Sequence, residues 1–186
     1  MTDTVWALDA SEGELSIHTG VCGRAARMGH RLTIAMKRWQ AAVHWDDAEP
    51  VAVELGIEVD SFEVVRGEGG VKALSGPERA LVKSNALKSL GANRYPQIRF
   101  EADRIERTED GYRLNGTLRI RGRSRPHVIE LRTEDLGDSW RMSTESVVRQ
   151  SDYGVKPYSM LLGSMQVSDE VTVTFSAVHL KEDLSC

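Results

Sequence analysis

Hydrophobic and polar residues alternate with period two along much of the chain. Val51, Val53, Leu55, Ile57 and Val59 alternate with Ala52, Glu54, Gly56, Glu58 and Asp60. The same pattern recurs in Ile98, Phe100 and Ala102, in Tyr112, Leu114, Gly116, Leu118 and Ile120, and in Val171, Val173, Phe175 and Ala177. Alternation of this kind places apolar side chains on one face of a strand and polar ones on the other. Less regular runs at residues 32–45, 127–131, 140–148 and near 15–17 bring the expected strands to eight. Eight strands with one dry and one wet face predict an antiparallel sheet. Glu109-Asp110-Gly111 and Leu136-Gly137-Asp138 lie between strand runs and read as hairpin turns. Gly122 marks a bulge or turn at the end of the run before it. Closing the sheet into a barrel would remove its edges. A flat sandwich is the competing arrangement.

One segment breaks the pattern. From Ser75 to Leu90 the apolar residues Leu81, Leu87 and Leu90 are separated by helix formers. Ser75 is a suitable cap, Pro77 falls in the first turn and Gly91 lies just past the end. Asn85 is a candidate break into two shorter helices. Arg66-Gly67-Glu68-Gly69-Gly70 reads as a flexible approach that would let the helical piece (75–91) move as a lid. Residues 4–180 form one expected domain, with 181–186 as a short frayed tail.

Composition narrows the class. The chain has 186 residues with 40% hydrophobic and 28% charged, and 24 Lys plus Arg against 28 Asp plus Glu give a net charge of −4. That balance argues against a nucleic-acid partner, which calls for a basic field. No apolar run reaches the ~18 residues of a membrane span. The N-terminus shows neither a basic n-region nor an apolar h-region, so the expected location is cytoplasmic. Cys22 and Cys186, too few for a disulfide framework, fit that expectation.

Six elements then occur in order: Trp6-Ala7-Leu8-Asp9, Tyr95-Pro96-Gln97-Ile98-Arg99-Phe100, the run from Gly116 to Gly122, Arg125-Pro126-His127-Val128, the run from Ser151 to Ser159, and Val167-Ser168-Asp169-Glu170-Val171-Thr172-Val173. In this order and spacing they resemble the YceI-like family, from Trp6 to about Ala177. The family's early His-Ser-x-x-x-Phe strand is present only as Leu15-Ser16-Ile17-His18, a departure at the start. The resemblance implies an all-β fold: a closed antiparallel eight-stranded lipocalin-like β-barrel with a short helical insertion. It also implies binding, not turnover, of an isoprenoid quinone, a polyprenyl phosphate or a fatty-acid-like lipid that the protein sequesters or carries. Some relatives carry a stress-related role.

On that reading the apolar lining is Ile34, Met36, Val53, Leu55, Ile57, Ile98, Phe100, Tyr112, Leu114, Leu118, Ile120, Val173 and Phe175. Apolar walls with a small polar cluster suit a lipid. The polar rim is Arg24, His30, Lys156 and Tyr158, with backbone bonding for His30 and a plug for Tyr158 as the plainer alternatives. Met160, Leu161, Leu162 and Met165 read as a helical turn forming wall at the barrel's end. Arg119, Arg121, Arg123 and Arg125, at alternate positions, are either a headgroup patch or a solvated outer face neutralised by cross-strand acids.

Neither His44 with Asp46 and Asp47 nor His127 with His179 has a recognised ligand spacing, so no metal is expected. No catalytic residue and no cofactor are expected either. Gly-x-Ser-x-Gly and His-Glu-x-x-His are absent, and Cys22 reads as a small core residue. The competing functions are a filled barrel that binds a protein partner and, third, a hydrolase or isomerase. A homodimer is among the assemblies left open.

Overall fold

A computed structural model describes residues 3–181. Residues 182–186, most of the expected tail and Cys186 with it, lie outside the described residues. The strands are β1 (Asp3–Asp9), β2 (Gly13–Cys22), β3 (His30–Met36), β4 (Trp39–Asp46), β5 (Glu49–Glu58), β6 (Phe62–Gly69), β7 (Gln97–Arg107), β8 (Gly111–Ile120), β9 (Arg123–Asp135), β10 (Ser139–Arg149), β11 (Ser159–Met160) and β12 (Met165–Leu180). One helix, α1 (Gly76–Leu90), lies between β6 and β7. Antiparallel pairing runs β1-β4-β5-β7-β8-β9-β10-β12-β2-β3-β6, with β11 added on β12.

The fold is all-β, as the alternation requires, but it is not a closed barrel of eight strands. The sheet curls into an open half-barrel of twelve strands whose edge strands, β1 and β6, do not pair with each other. The cause lies in two corners. The run at residues 32–45 ends its first strand at Met36 and restarts at Trp39, and the run that begins at Glu49 breaks at residues 59–61 before continuing as β6. Lys37 N donates to Ser61 O at 3.2 Å and Glu58 N donates to Arg38 O at 3.0 Å, so the two corners brace each other. The resulting bent ribbon places β4 and β5 near one end of the sheet order and β3 and β6 at the other.

Three further expectations change. Residues 66–69 are strand, not a flexible approach: β6 pairs with β3 from His30↔Gly69 to Met36↔Phe62. Asn85 does not divide α1, which runs unbroken. A capping box holds its start, with Ser75 Oγ accepting from Glu78 N and Ser75 N donating to Glu78 Oε2 at 2.7 Å, and left-handed Gly91 ends it. Arg121 does not continue the strand that carries Arg119, because Arg121 (φ 51°) and Gly122 (φ 73°) make a tight turn between β8 and β9, at the glycine where a bulge or turn is expected. A Cβ on Gly122 would lie 2.6 Å from the Tyr95 ring. Glycine alone fits both that contact and that backbone.

The interior is filled at one end and hollow at the other. Towards the β7–β8 and β9–β10 turns, Trp39 meets Phe175 edge-on at 5.2 Å, while Leu114, Met142 and Ala177 are buried nearby in the same core. Trp6 lies 4.5 Å from Trp45 and 4.9 Å from His179 at that end. Towards the β2–β3 and β8–β9 turns the inward side chains stop short of one another.

Candidate functional site

That hollow is a cavity of about 580 Å³. Strand alternation builds its wall. Leu15 and Ile17 of β2, Ile34 and Met36 of β3, Leu55 and Ile57 of β5, Ile98 and Phe100 of β7, Leu118 and Ile120 of β8, and Val173 of β12 face it. Nine of the thirteen expected lining residues are therefore on the wall: Ile34, Met36, Leu55, Ile57, Ile98, Phe100, Leu118, Ile120 and Val173. Val53, Tyr112 and Leu114 pack elsewhere in the core, beyond the cavity floor. Phe175 lines a separate cleft of about 660 Å³. The reason is length: each strand crosses both the filled and the hollow half, and period two marks the face without marking the depth.

Helix α1 covers the opening with Leu81, Val82, Asn85, Ala86, Ser89 and Leu90. None of its residues is fully buried. A chain of polar contacts ties its start to the rim. His30 Nε2–H donates to Lys72 O at 2.6 Å, Lys72 Nζ lies 3.4 Å from Glu78 Oε1, and Glu78 closes the capping box. The Ser75 backbone and side chain hold the Glu78 carboxyl down at about 2.

Of the expected polar rim, His30, Lys156 and Tyr158 line the cavity, and His30 makes the backbone bond already described. Arg24 does not line it; it is exposed in the turn between β2 and β3. Met160 and Met165 contribute wall, but Leu162 points fully into solvent at 108% exposure. The Leu161 side chain lies outside the described ones. Cys22 is exposed, not a core residue, because the strand ends there at the β2–β3 turn.

The sequence does not by itself single out a further polar group on the wall, His127. It lies on β9 in the same alternation as Ile129, which also lines the cavity, so period two carried the signal. The ring is half-buried, edge-on to Phe100 at 6.3 Å, with Nε2 2.7 Å from Ser146 Oγ. Burial pushes its pKa below the ordinary histidine value, so the neutral imidazole is favoured. A neutral ring offers one N–H and one acceptor nitrogen. Tyr153, buried in the turn after β10, also faces the cavity. Its hydroxyl is kept protonated chiefly by burial and by the nearby Asp152 charge, against a smaller opposing effect of Arg125. Gln150 is on the same wall and donates to Ser168 O at 3.0 Å. Val155, the neighbouring wall residue, was missed too. It precedes the last strands in a loop that has no periodicity.

β9 and β10 pair only from Trp140↔Asp135 to Ser143↔Arg132. Beyond that the link is made by side chains, Thr144 Oγ1 donating to Glu130 O at 2.7 Å and then the His127–Ser146 pair. The 660 Å³ cleft opens along this seam.

Among the described residues, no three His, Cys, Asp or Glu side chains gather as a metal site. His179 pairs with Glu12 at 2.8 Å, His44 faces Glu54 at 3.8 Å, and His127 holds Ser146. Among the described residues, no helix is long and apolar enough to cross a membrane.

The YceI-like domain family matches residues 6–179. The crystal structure of BcnA from Burkholderia cenocepacia superposes with a TM-score of 0.66 at 18% identity, over 92% of this chain and 98% of that one. A Campylobacter jejuni YceI protein superposes at 0.61 with 16% identity, over 81% and 85%. A mutant of that protein holding a monobromobimane guest gives 0.61 at 17% identity, over 81% and 85%. At these identities the likeness is one of fold. No curated protein sequence matches the chain.

Proposed function

The chain belongs to the YceI-like family, and from that premise we propose that it binds an elongated apolar lipid in its cavity and sequesters or carries it without chemical turnover. The ligand class is an isoprenoid quinone, a polyprenyl phosphate or a fatty-acid-like molecule. The observation that carries the reading is a cavity of about 580 Å³ walled by aliphatic side chains, with polar groups at the opening and on one wall. Its size falls in the ~300–1,000 Å³ range of ligand sites. Water leaving the walls and a flexible tail supplies the affinity, at ~0.8 kcal/mol per buried CH₂. In this reading α1 is a lid: its weakly buried face and its polar latch at Ser75, Glu78 and Lys72 let it open without dismantling the sheet.

Native mass spectrometry of the purified protein, followed by organic extraction, tests the proposal. The expected result is a stoichiometric co-purifying lipid, or saturable uptake of an added long-chain quinone or fatty acid. A protein that is empty and takes up neither would overturn it.

A further inference from the structure

We propose that the open end of the barrel docks on an anionic lipid bilayer, an inference that rests on the lipid-binding reading. Two independent features of that end support it. The first is an apolar rim. Met28, Val71, Leu81, Tyr158 and Met160 all line the cavity, yet 43% to 81% of their surface is exposed to solvent, with Val71 at 81% and Leu81 at 61%. Lining residues this exposed stand around the opening. Leu162, two residues after Met160, is fully exposed as well. Side chains of this kind in water are costly, and a bilayer interface would cover them.

The second feature is charge. The chain carries a net −4, yet the two ends of the barrel have opposite signs. The turns at the filled end hold Glu12, Asp47, Glu109, Asp110 and Asp138. The turns at the open end hold Arg24, Arg27, Arg121 and Lys156 against the single acid Asp152, with Arg123 at the start of β9 beside them. Many strand arginines elsewhere are paired, as in Arg113–Glu130 at 2.6 Å, Arg141–Glu134 at 2.9 Å and Arg149–Glu170 at 3.0 Å. Arg24, Arg27, Arg121, Arg123 and Lys156 have no ion-pair partner among the described residues. An acidic protein with this arrangement is orientated by an anionic surface so that its opening faces the lipid. The ligand's tail would then pass between bilayer and cavity beneath α1 without crossing water.

Vesicle flotation tests the inference, with the full chain and vesicles of phosphatidylcholine alone or mixed with phosphatidylglycerol. A parallel titration with a fluorescent long-chain fatty acid in solution reports the cavity separately. Binding is expected to the mixed vesicles, to weaken with salt, and to be much weaker on phosphatidylcholine alone. Arg24→Gln with Arg27→Gln should weaken it by about fivefold per cation removed. Leu162→Asp, at a fully exposed residue that does not line the cavity, should weaken it further, while Glu109→Gln at the filled end should leave it unchanged. All variants should keep fatty-acid uptake, which also shows that they fold. No association of wild-type protein with mixed vesicles while fatty acid still binds would overturn docking and leave the cavity reading standing. Vesicle binding indifferent to these variants would overturn it too. So would a dimer in solution that Leu162→Asp separates, because a second copy would then cover the rim. Loss of both fatty-acid and vesicle binding in the wild-type protein would overturn both readings.

Discussion

His127 Nε2 and Ser146 Oγ lie 2.7 Å apart on the cavity wall, beyond the point where β9 and β10 stop exchanging backbone hydrogen bonds. The pair therefore bridges the open seam and keeps the His127 ring in a fixed orientation against the cavity. Because burial lowers the pKa of His127, the folded state binds its proton less readily than the unfolded chain does. The contribution to stability is thus complete above the unfolded value of about 6.5 and declines as pH falls below it towards the lower folded value. A lipid tail against the ring would dry it further and depress the pKa more. Lipid affinity should accordingly drop between neutral pH and about pH 5, and His127→Gln should flatten that dependence. Titration of the His127 ring protons by NMR, with and without lipid, checks both statements. A ring pKa at or above the ordinary value would refute them.

Gly116 packs against the Phe100 ring, which lines the cavity. Its position on β8 faces Ala102 on one side and His127 on the other. A Cβ there would meet the Glu101 carbonyl and stand 2.8 Å from Phe100 Cζ. A carbonyl of the neighbouring strand cannot move aside as a flexible side chain can. Gly116→Ala is expected to cost about 1–3 kcal/mol, read as a lowered midpoint of urea unfolding, and to push the Phe100 ring further into the cavity. An unchanged midpoint would show that the β7–β8 ladder yields more readily than its register suggests.

The capping box governs the lid. Ser75→Ala removes one of its two hydrogen bonds and should cost about 1 kcal/mol of helix stability. Hydrogen exchange should record this as faster exchange across residues 79–90, with the β-sheet amides unchanged. Glu78 predicts a matching acid response. Its carboxyl is held down at about 2 by the Ser75 backbone and side chain, with Lys72 adding less. The benefit is therefore present above its ordinary value near 4.5 and disappears as pH falls towards 2. Selective loosening of α1 in that acid range, absent in Glu78→Gln, is the expected signature.

Much of this was legible in the sequence, and the failures share a cause. Period two located most strands and named nine of the wall residues, because it reports which face a side chain takes. It says nothing about position along the strand, so Leu114 and Phe175 were placed on the wall when they lie in the filled half. The corners at Lys37–Arg38 and at Val59–Ser61 carry no proline or glycine. They come from the mutual hydrogen bonds of two distant segments, which no local pattern records. Residues 66–69 read as loop for their two glycines, yet tertiary pairing with β3 makes them strand. His127 was weighed as a metal ligand when its alternation with Ile129 already placed it among the wall residues.

The cavity's dimensions give the sharpest test of the lipid reading. Association alone costs on the order of 4–15 kcal/mol, and each buried CH₂ returns ~0.8 kcal/mol, so short chains cannot bind well. Affinity should rise about fourfold per added methylene and level off once the tail reaches the floor formed by Phe100 and Leu55. Leu118 stands directly opposite Phe100, and Phe100 opposite Leu55, so Leu118→Trp raises this floor into the cavity, without burying a polar group beyond an indole N–H that can turn towards His127. It should shorten the chain length at which affinity levels off and weaken long-chain binding at least tenfold, while the thermal midpoint holds or rises. Isothermal titration over a series of fatty acids, with wild type and variant side by side, measures both effects. A flat dependence on chain length in the wild type would mean that the tail does not enter the cavity. A plateau unmoved by Leu118→Trp would place the tail elsewhere, along the 660 Å³ cleft at the β9–β10 seam.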